Sequence, residues 1–492
     1  MKKFAKLLGF DPVAKQTSVK TEMIAGTVTF LAMAYILTVN PNQMFGSTAS
    51  PYWSSAFIAT ALGAVVGTLL MAFLAKMPLV QASGMGLNSM IGGLIGGYAG
   101  YAAAFTPGQA FFLVLISGLV FLLLSCITIK GKTFRELVFD GMPVSVRGAI
   151  SVGIGLFIAY IGFQNAGIIV ASPYTQVELV DFTSWDACKT AILTFIGLFV
   201  ITILDKFNVK GSVILGILAA SIVGIPFGIT NLEVLNGQTP GISWKFWENF
   251  ANFFAGENTV FLSFLDVFKG DGFLPNGVSI FTAIMIVITM SMIDMFDTMG
   301  TIVGCCGGNP ILSDENGKPR NYGKIMLSDS IATGSGAILG TSTVTTFVEA
   351  SAGVSAGGRT GLTALTAAGL FFSAMFAIPL FAVIPSAATA AALIYVGVLM
   401  MKGNVKEIDF GTAINATSAF LTISVMVLSY SITNGIGVGL VSYTVMSILA
   451  YFAELIKAQV KKTEKPKWNV SAVAIIVSLL FCVYFFVPAT LF

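Results

Sequence analysis

The sequence predicts an all-α polytopic membrane protein that crosses the bilayer fourteen times, in two inverted halves of seven spans. Three observations support this fold class. Hydrophobic residues make up 56% of the chain and charged residues only 10%, whereas about a quarter of the residues of a soluble protein are charged. Apolar runs of membrane-spanning length recur along the whole sequence. A motif of the first half also recurs in the second half, seven spans later.

Short polar segments separate the predicted spans from one another. A further apolar stretch at about 470–491 is long enough to form an extra C-terminal hydrophobic helix, and we expect it to cross the membrane. The fourteen spans are predicted at 22–40, 54–75, 78–97, 109–129, 146–165, 185–204, 211–229, 279–303, 325–340, 342–358, 362–384, 386–401, 412–430 and 434–456.

The distribution of basic residues predicts a cytoplasmic N-terminus. With that orientation only Lys189, Lys245 and Lys269, of 26 lysines and arginines, fall in external loops. Cytoplasmic loops of membrane proteins carry an excess of Lys and Arg, so we expect a multi-pass protein of the cell membrane. The longest loop, at about 230–278, is then external. We expect its segment 243–250 to lie on the lipid surface, with a cover over the outer mouth as the alternative.

Spans 3 and 10 are predicted to be broken helices. Span 3 contains Gly84 and Gly86 in its middle, and span 10 contains a mostly β-branched run at 343–348. The two broken spans lie seven spans apart, as do the similar segments that begin at Pro143 and Pro385. Because seven is an odd number, the second copy has the opposite orientation in the bilayer. Extended backbone within the membrane is tolerated only where it is buried in protein or lines a cavity. We therefore expect each segment to run extended and then to begin a half-helix, as in secondary transporters.

Carboxylates inside the predicted spans 8 and 10 indicate a transport site. A carboxylate in hydrocarbon is costly unless it faces a polar cavity, a partner or a proton. Glu349 follows the extended run of span 10, and its alternative role is to cap the half-helix. Asp294 and Asp297 share a face of span 8. We expect Asp297 to lie in the site and Asp294 to make a structural or coupling hydrogen bond. Asp329 in span 9 is expected to make an interhelical hydrogen bond.

Two other residues are candidates for contact with a ligand. Asn88 offers a donor and an acceptor, a pair that can read the edge of a base; its alternative is a helix–helix hydrogen bond. Phe296 is placed to stack on an aromatic ligand or else to face the core or the lipid. Proton coupling is expected to use Asp297, Glu349 or Asp294, because the sequence contains no histidine. The expected substrate contacts are Asn88, Asp297, Glu349, Phe296, Thr301, Ser83, Gly84, Thr346 and Phe347.

Several other classes of protein have no support in the sequence. The five cysteines show no metal-ligand spacing, so we expect no metal site and no cofactor. There is no Walker-type motif for ATP-driven transport and no nucleophile–base constellation for an enzyme. A channel usually needs a continuous polar pore, and a single broken-helix site argues against one. We expect the lipid bilayer as a partner and no nucleic acid.

Several motifs together carry a resemblance to a known family. They are at 25–41, 84–88 (GMGLN), 294–301 (DMFDTMGT), 340–349 (GTSTVTTFVE), 351–354 and 357–363. With these motifs, from about residue 18 to 456, the sequence resembles the AzgA-type hypoxanthine/guanine/adenine permeases of the nucleobase–ascorbate transporter superfamily. The chain departs from the family pattern at Ser83, where Pro is usual, and at 89–91, where Ser-Met-Ile replaces Ala-Tyr-Phe.

The resemblance implies a core domain from spans 1–4 and 8–11, and a gate domain from spans 5–7 and 12–14. It implies that a purine binds between spans 3, 8 and 10, at Asp297, Glu349 and Asn88, and that homodimers form through the gate domain. The expected function is import of purine nucleobases by proton symport, and the alternative is an anion transporter of the sulfate-permease type. The expected division is 1–129 and 279–384 for the core, 130–230 and 385–456 for the gate, 231–278 for the external loop, and 457–492 for a basic linker and C-terminal helix.

Overall fold

Helices form nearly all of the regular structure, and nine of those described are long and apolar enough to cross a membrane. The predicted all-α, multi-pass fold class is therefore confirmed. The structure is a computed structural model. It describes residues 8–11, 14–97, 104–129, 132–133, 137, 141–172, 175–209, 211–236, 242–270, 272–306, 309–313, 319–461, 464 and 466–486.

Local sequence signals set the helix starts of the first half. At the start of α5 (Pro107–Cys126) the Thr106 side chain accepts a hydrogen bond from the Gln109 N–H, and the Gln109 side chain accepts one from the Thr106 N–H, which is a capping box. Helix α6 (Val144–Asn165) begins directly after Pro143. The elements are α1 (Val19–Met33), α2 (Ile36–Phe45), α3 (Trp53–Leu70, continued by a π-helical turn at Met71–Ala75), β1 (Gln81–Ser83), α4 (Met85–Gly96), α5 (Pro107–Cys126), β2 (Thr128–Ile129), β3 (Lys132–Thr133), α6 (Val144–Asn165), β4 (Ile169–Ser172), β5 (Gln176–Leu179), α7 (Trp185–Lys206) and α8 (Ser212–Val223).

The second half follows the external loop, whose main element is helix α9 (Phe246–Ala255). Thr360 caps the helix Gly361–Ala374, since its side-chain oxygen accepts a hydrogen bond from the Leu362 N–H at 3.2 Å. The remaining elements are α10 (Ile280–Cys306), α11 (Tyr322–Leu339), β6 (Val344–Thr346), α12 (Ala350–Ser355), α13 (Gly361–Ala374), α14 (Ile378–Ala382), α15 (Ser386–Asn404), α16 (Ala413–Leu428), α17 (Ile432–Lys461) and α18 (Ala472–Phe486).

Two predicted spans are divided more finely than expected. Span 1 consists of α1 and α2, which are separated by a turn at Ala34 and Tyr35. Span 11 consists of α13 and α14, which are separated by a 3-10 turn at Met375–Ala377. The second break lies just before Pro379, because proline lacks the N–H of a continuous helix and its ring clashes with the preceding turn. The other spans begin and end within several residues of their predicted positions.

Short strands interrupt spans 3 and 10, as predicted. Strands β1 and β6 pair antiparallel and are fully buried. Hydrogen bonds from Gly84 N–H to the Thr343 carbonyl (2.9 Å) and from Phe347 N–H to the Val80 carbonyl (3.1 Å) extend the pairing. Half-helices α4 and α12 follow the two strands. The paired residues are Gln81 and Thr346, Ala82 and Thr345, and Ser83 and Val344.

The helices pack in two groups. One contains α1, α3, α5, α11, α12 and α13, and the strand pair packs against α3 in this group. The other contains α6, α7, α8, α15, α16 and α17. The first group contains helices of spans 1, 2, 4, 9, 10 and 11, and the second contains the helices of spans 5–7 and 12–14. The division of the chain into moving domains stays a prediction.

The loop between α8 and α10, which is predicted to be external, is fastened to the first group of helices. Val260 N–H donates to the Ser55 hydroxyl at 2.9 Å, and Leu262 N–H donates to the Ile338 carbonyl at 3.0 Å. Helix α9 packs against α3. Trp244, just before this helix, and Trp247, in its first turn, are exposed, in the way that aromatic side chains at a lipid interface are.

The C-terminal helix α18 packs antiparallel against α17. The Trp468 ring contacts the Tyr451 ring with a centroid distance of 5.0 Å. Further along, the hydroxyls of Ser478 and Thr444 lie 2.7 Å apart. The position of Gly437 is close to Phe481. Contacts therefore run along about fourteen residues of α17, which corresponds to about 21 Å at 1.5 Å per residue.

Candidate functional site

The strand pair is held against α3 by close packing and by hydrogen bonds. A side chain at Gly67 would lie 2.7 Å from Val344 and 3.0 Å from Gln81, so only glycine lets the helix approach this closely. At the next residue, the Thr68 hydroxyl accepts from the Gln81 N–H and donates to the Gln81 carbonyl, both at 3.1 Å. The backbone N–H and carbonyl of Gln81, at the outer edge of β1, therefore both have hydrogen-bond partners, which backbone within the membrane requires.

Buried carboxylates join helices behind the strands. Asp329 Oδ1 accepts hydrogen bonds from Gln81 Nε2 at 3.1 Å and from the Thr298 hydroxyl at 2.8 Å, and so links α11 to β1 and α10. Asp294 Oδ2 accepts from the Thr333 hydroxyl at 2.9 Å and links α10 to α11. Both carboxylates are buried. These are interhelical hydrogen bonds of the kind expected for them from the sequence.

Asn88 and Ser83 lie in the same buried network. Asn88 Oδ1 accepts from the Ser342 hydroxyl, and Asn88 Nδ2 donates to the Ser83 carbonyl at 3.4 Å. The Ser83 hydroxyl lies 2.5 Å from Thr341 Oγ1. The structure therefore places both side chains between the two broken spans, and neither is among the described residues that line the cavity in front of them.

A cavity of about 190 Å³, here called the central cavity, lies between the two groups of helices. Asp297 and Glu349 both line it, together with Thr301, Thr346 and Phe347. Gly84 lies behind the lining, and the side chain of Phe296 is outside the part of the chain that the structure describes. The remaining lining residues are Met85, Gly86 and Val348 on one side, and Ser151, Ile158, Val396, Leu399, Met400, Gly403, Asn404 and Glu407 on the other.

The Glu349 side chain is buried at the wall of the central cavity. Its Oε1 accepts a hydrogen bond of 2.6 Å from the Tyr35 hydroxyl, and its Oε2 has no hydrogen-bond partner among the described residues. Glu349 occupies the N-cap position of α12, yet the described side chain makes no capping hydrogen bond to that helix. Tyrosine therefore holds one oxygen of the carboxylate, and the other oxygen is buried without a hydrogen bond from the described residues.

A second cavity, of about 510 Å³, also reaches Glu349; it is here called the side cavity. Its charged lining residues besides Glu349 are Asp205, Lys402 and Lys406. Lys402 and Lys406 are exposed and lie at the end of the molecule that is predicted to be cytoplasmic. The side cavity shares four lining residues with the central cavity, namely Val348, Glu349, Leu399 and Gly403.

Several residues at the central cavity were not foreseen from the sequence. Tyr35 lies at the turn between α1 and α2, and its hydroxyl lies 3.8 Å from Met85 Sδ as well as against Glu349. A tyrosine inside the apolar motif 25–41 was the available signal. Ser151 of α6 and Asn404 of α15 have no such signal, because their contact with the site depends on how the two halves pack. Within the described residues, no cluster of metal-ligating side chains occurs.

Comparisons with known proteins agree with this architecture. A family model described as Permease family matches residues 20–438. The guanine/hypoxanthine permease PbuO of Bacillus subtilis (strain 168) is 33% identical over 488 residues, which cover 96% of this chain and 98% of the relative. The adenine permease AdeQ of Escherichia coli (strain K12) is 34% identical over 432 residues, which cover 88% of each chain.

Solved structures support the same fold. The transmembrane domain of the cyanobacterial bicarbonate transporter BicA superposes with a TM-score of 0.56 at 15% identity, over 85% of this chain and 96% of that domain. The structure of SLC26A9 superposes with a TM-score of 0.55 at 13% identity, over 92% of this chain and 70% of the other. At such identities the likeness extends to the fold alone.

Proposed function

Because the chain belongs to the permease family of nucleobase transporters, we propose that it imports purine nucleobases by proton symport. Its relatives are named as guanine/hypoxanthine and adenine permeases and match it along most of its length, which supports nucleobase transport. The family and these relatives are permeases and not enzymes. Protons are the proposed coupling ion, and no cofactor is proposed.

The proposal rests on one observation above all, namely that Asp297 and Glu349 line the same cavity. Purine bases carry N–H groups along their edges, and a carboxylate oxygen accepts from such a donor with a net contribution of about 1.5–3 kcal/mol per charged hydrogen bond. Glu349 Oε2 is the open acceptor. At about 190 Å³ the cavity is small, so we expect free bases to be carried and nucleosides, with their ribose, to be excluded.

Proton coupling is proposed to use the same two acids. Two charged carboxylates that face one small cavity repel each other, and a proton on either one removes that repulsion. No histidine is available to carry the proton. We assign the coupling proton to Asp297 and the stronger ligand contact to Glu349, whose Oε1 Tyr35 already fixes.

The alternative of an anion transporter has little support at the site. None of the described lining residues of the central cavity is a lysine or an arginine, whereas the carboxylates of Asp297 and Glu349 would repel an anion. The purine assignment is therefore retained.

We further propose that the protein lies in the cell membrane with its N-terminus in the cytoplasm. In that orientation the basic residues follow the positive-inside rule. The end of α15, with Lys402 and Glu407, is then cytoplasmic, and both the central and the side cavity lead towards it. The described conformation corresponds to an inward-facing state. Transport would follow from movement of the core helices against the gate helices.

An uptake assay in cells that express the protein tests this function. It measures radiolabelled hypoxanthine, adenine, uracil, a purine nucleoside and sulfate, with and without a protonophore. We expect saturable uptake of at least one purine, its loss with the protonophore, and no uptake of nucleosides. The matched control is Glu349→Gln, which should lie in the membrane at the same level and take up little purine. Saturable uptake of uracil or sulfate, with none of any purine, would contradict the proposal.

A further inference from the structure

A second large cavity lies at the end of the molecule opposite to the cytoplasmic cavities. Its volume is about 520 Å³, and it is here called the outer cavity. It lies where α2, α4 and α6 end and where α16 turns into α17. Its lining residues are Asn42, Gln43, Met44, Phe45, Gly46, Ser50, Pro51, Tyr52, Ser89, Gly92, Gly93, Ile95, Gly96, Ile161, Asn165 and Tyr430.

Aromatic rings form walls of the outer cavity from both groups of helices. On one side the rings of Phe45 and Tyr52 stack at a centroid distance of 5.4 Å and an angle of 25°. On the other side the Tyr430 ring packs against Phe157 and Tyr160, at 5.2 and 6.1 Å. Tyr430 has a φ of +51°, which is rare for a bulky residue and is a strain typical of functional sites. Aromatic faces set in this way suit a flat aromatic ligand.

The amide of Gln43, a lining residue of this cavity, has a buried acceptor without a hydrogen bond from the described residues. Gln43 Nε2 donates to the Ser89 hydroxyl at 2.9 Å, whereas the buried Oε1 has no hydrogen-bond partner among the described residues. A buried carbonyl that lacks a partner costs about 1–3 kcal/mol, and a ligand donor would recover that free energy. The neighbouring Asn42 differs, because its Oδ1 already accepts from Trp53 Nε1 at 2.7 Å.

Half-helix α4 connects the outer cavity with the central cavity. Its first residues, Met85 and Gly86, line the central cavity, and Ser89, Gly92 and Gly93 line the outer one. The Ser89 hydroxyl also donates to the Met85 carbonyl at 3.1 Å, so Gln43 is hydrogen-bonded to the helix that begins at the central site. The nearest lining residues of the two cavities on this helix, Gly86 and Ser89, are three residues apart, which corresponds to about 4.5 Å at 1.5 Å per residue.

We propose that the outer cavity is a second binding site for a purine base, which holds the base on the external side before it reaches the central cavity. The proposal rests on the proposed function for the class of ligand. The base would stack on the Tyr52 ring and donate a hydrogen bond to Gln43 Oε1. Asn165, exposed on the gate side, offers a second amide to the opposite edge.

Protection of a single engineered thiol from labelling tests this site. Cys126 and Cys482 are the described cysteines that are not buried, so C126S and C482S form the background. Ser50→Cys places a thiol of nearly the same shape at the cavity wall. Ser47→Cys, on the same loop, exposed and outside the lining, is the matched control. A membrane-impermeant maleimide labels each variant in intact cells, with hypoxanthine or adenine added at increasing concentration.

We expect the base to slow labelling of Ser50→Cys and to leave Ser47→Cys unaffected. Gln43→Leu should raise the concentration of base needed for half-protection about fivefold, because one hydrogen bond of about 1 kcal/mol is lost. Glu349→Gln, which alters only the central site, should leave that concentration unchanged. The labelling rate without base shows that each variant is folded and inserted, and Asn165→Ala is a second variant with a smaller expected shift in the same direction.

Two results would overturn the outer site. One is purine uptake by the background protein without any protection of Ser50→Cys. The other is protection that depends on Glu349 and not on Gln43, because such protection would report binding at the central cavity. Absence of purine uptake in the background protein would instead contradict the proposed function, and the outer purine site would fall with it.

Discussion

The two oxygens of the Glu349 carboxylate have different surroundings. Oε1 is held by the Tyr35 hydroxyl at 2.6 Å, and Oε2 lacks a hydrogen-bond partner among the described residues. A carboxylate fixed at one oxygen keeps its orientation and presents the other to a ligand at little cost in side-chain entropy. The single residue thus combines positioning and recognition, and its neighbours can be tested one at a time.

Glu349→Gln keeps the size of the side chain and removes its charge. Loss of one charged hydrogen bond of about 1.5–3 kcal/mol should weaken purine binding at least about tenfold, since about 1.4 kcal/mol corresponds to a decade in affinity. Equilibrium binding of radiolabelled hypoxanthine to the purified protein measures the change. Unchanged affinity in a correctly inserted variant would show that Glu349 only caps the N-terminus of α12 and does not bind the purine.

Tyr35→Phe removes the hydroxyl that donates to Glu349. The carboxylate then loses its fixed orientation, and a buried group left without its donor costs about 1–3 kcal/mol. We expect a several-fold rise in the KM of purine uptake. Tyr443→Phe on α17 removes a hydroxyl outside the described lining of the central cavity and is the control. Equal effects of both substitutions would mean that Tyr35 does not act through Glu349.

Asp297→Asn mimics a permanently protonated acid. Binding should be weakened or retained, but accumulation of purine against its gradient should vanish, because no proton can be released. Accumulation in cells, compared with exchange of labelled purine in vesicles, measures the two separately. Asp294→Asn, at a buried hydrogen bond with Thr333, is the comparison. If Asp297→Asn still accumulates purine in a protonophore-sensitive way, the coupling acid is Asp294 or Glu349.

At the scale of elements, the half-helix α12 is held by close contact with α1. A side chain at Gly353 would clash with the Thr29 hydroxyl and lie 2.8 Å from the Ala25 carbonyl. Near the start of α1, the carboxylate of Glu22 accepts hydrogen bonds from the Arg359 N–H at 3.0 Å and the Thr360 N–H at 3.3 Å. Helix α1 therefore fixes both the half-helix and the loop that follows it, and through them the position of Glu349.

Gly353→Ala tests this packing, with Gly369→Ala as its matched control. Overpacking at Gly353 should destabilise the protein by about 1–3 kcal/mol and shift Glu349. Gly369, inside α13, has open space around it, so alanine there should be neutral or stabilising by up to about 1 kcal/mol. The melting temperatures of the two purified variants give the comparison. Equal shifts in the same direction would contradict the close contact of α1 and α12.

The positions of these elements could be predicted because they depend on local properties. Apolar runs bounded by polar segments mark the spans, and the glycines of span 3 and the β-branched run of span 10 disfavour a continuous helix. The six-residue length of α12 was not foreseen. It ends at Ser355, before Gly357 adopts a φ of +103°, a conformation that glycine tolerates and other residues rarely adopt.

The partners within the site could not be predicted in the same way. Helical periodicity determines which residues share a face, but it does not determine which neighbouring element that face meets. Tyr35 and Glu349 are 314 residues apart, and a tyrosine in an apolar run resembles an ordinary core residue. Asn88 was expected to contact substrate, and its hydrogen bond with Ser342 depends on how the two broken spans cross. Its role in substrate binding stays a prediction.

At the scale of the whole molecule, the central cavity lies between two groups of helices and belongs to neither alone. The carboxylates come from α10 and the residues before α12, and the opposite wall comes from α6 and α15. Sliding one group past the other therefore changes the cavity without breaking the strand pair. The predicted homodimer through the gate helices, which would hold that group still, remains a proposal.

The course of the C-terminal helix provides a test of overall topology. Because α18 runs antiparallel along α17, we expect it to cross the membrane and place the C-terminus outside. A reporter that is active only outside the cytoplasm, fused after residue 492, should be active. The same reporter fused after residue 461, at the end of α17, should be inactive and is the control. A C-terminal fusion that is active only in the cytoplasm would overturn this topology.

The register of the strand pair restricts how the two repeats can diverge in length. Side chains along a strand alternate between faces, so a shift of one residue moves every side chain to the opposite face. A single-residue insertion between α3 and α4 would turn Gln81 away from Asp329 and Ser83 away from Thr341, and one between α11 and α12 would do the same to Thr345 and Thr346. Substitutions can accumulate independently in either repeat, but a change in length in one requires a compensating change in the other. The two halves can therefore differ in side-chain chemistry, while the lengths of the segments that contain β1 and β6 stay matched.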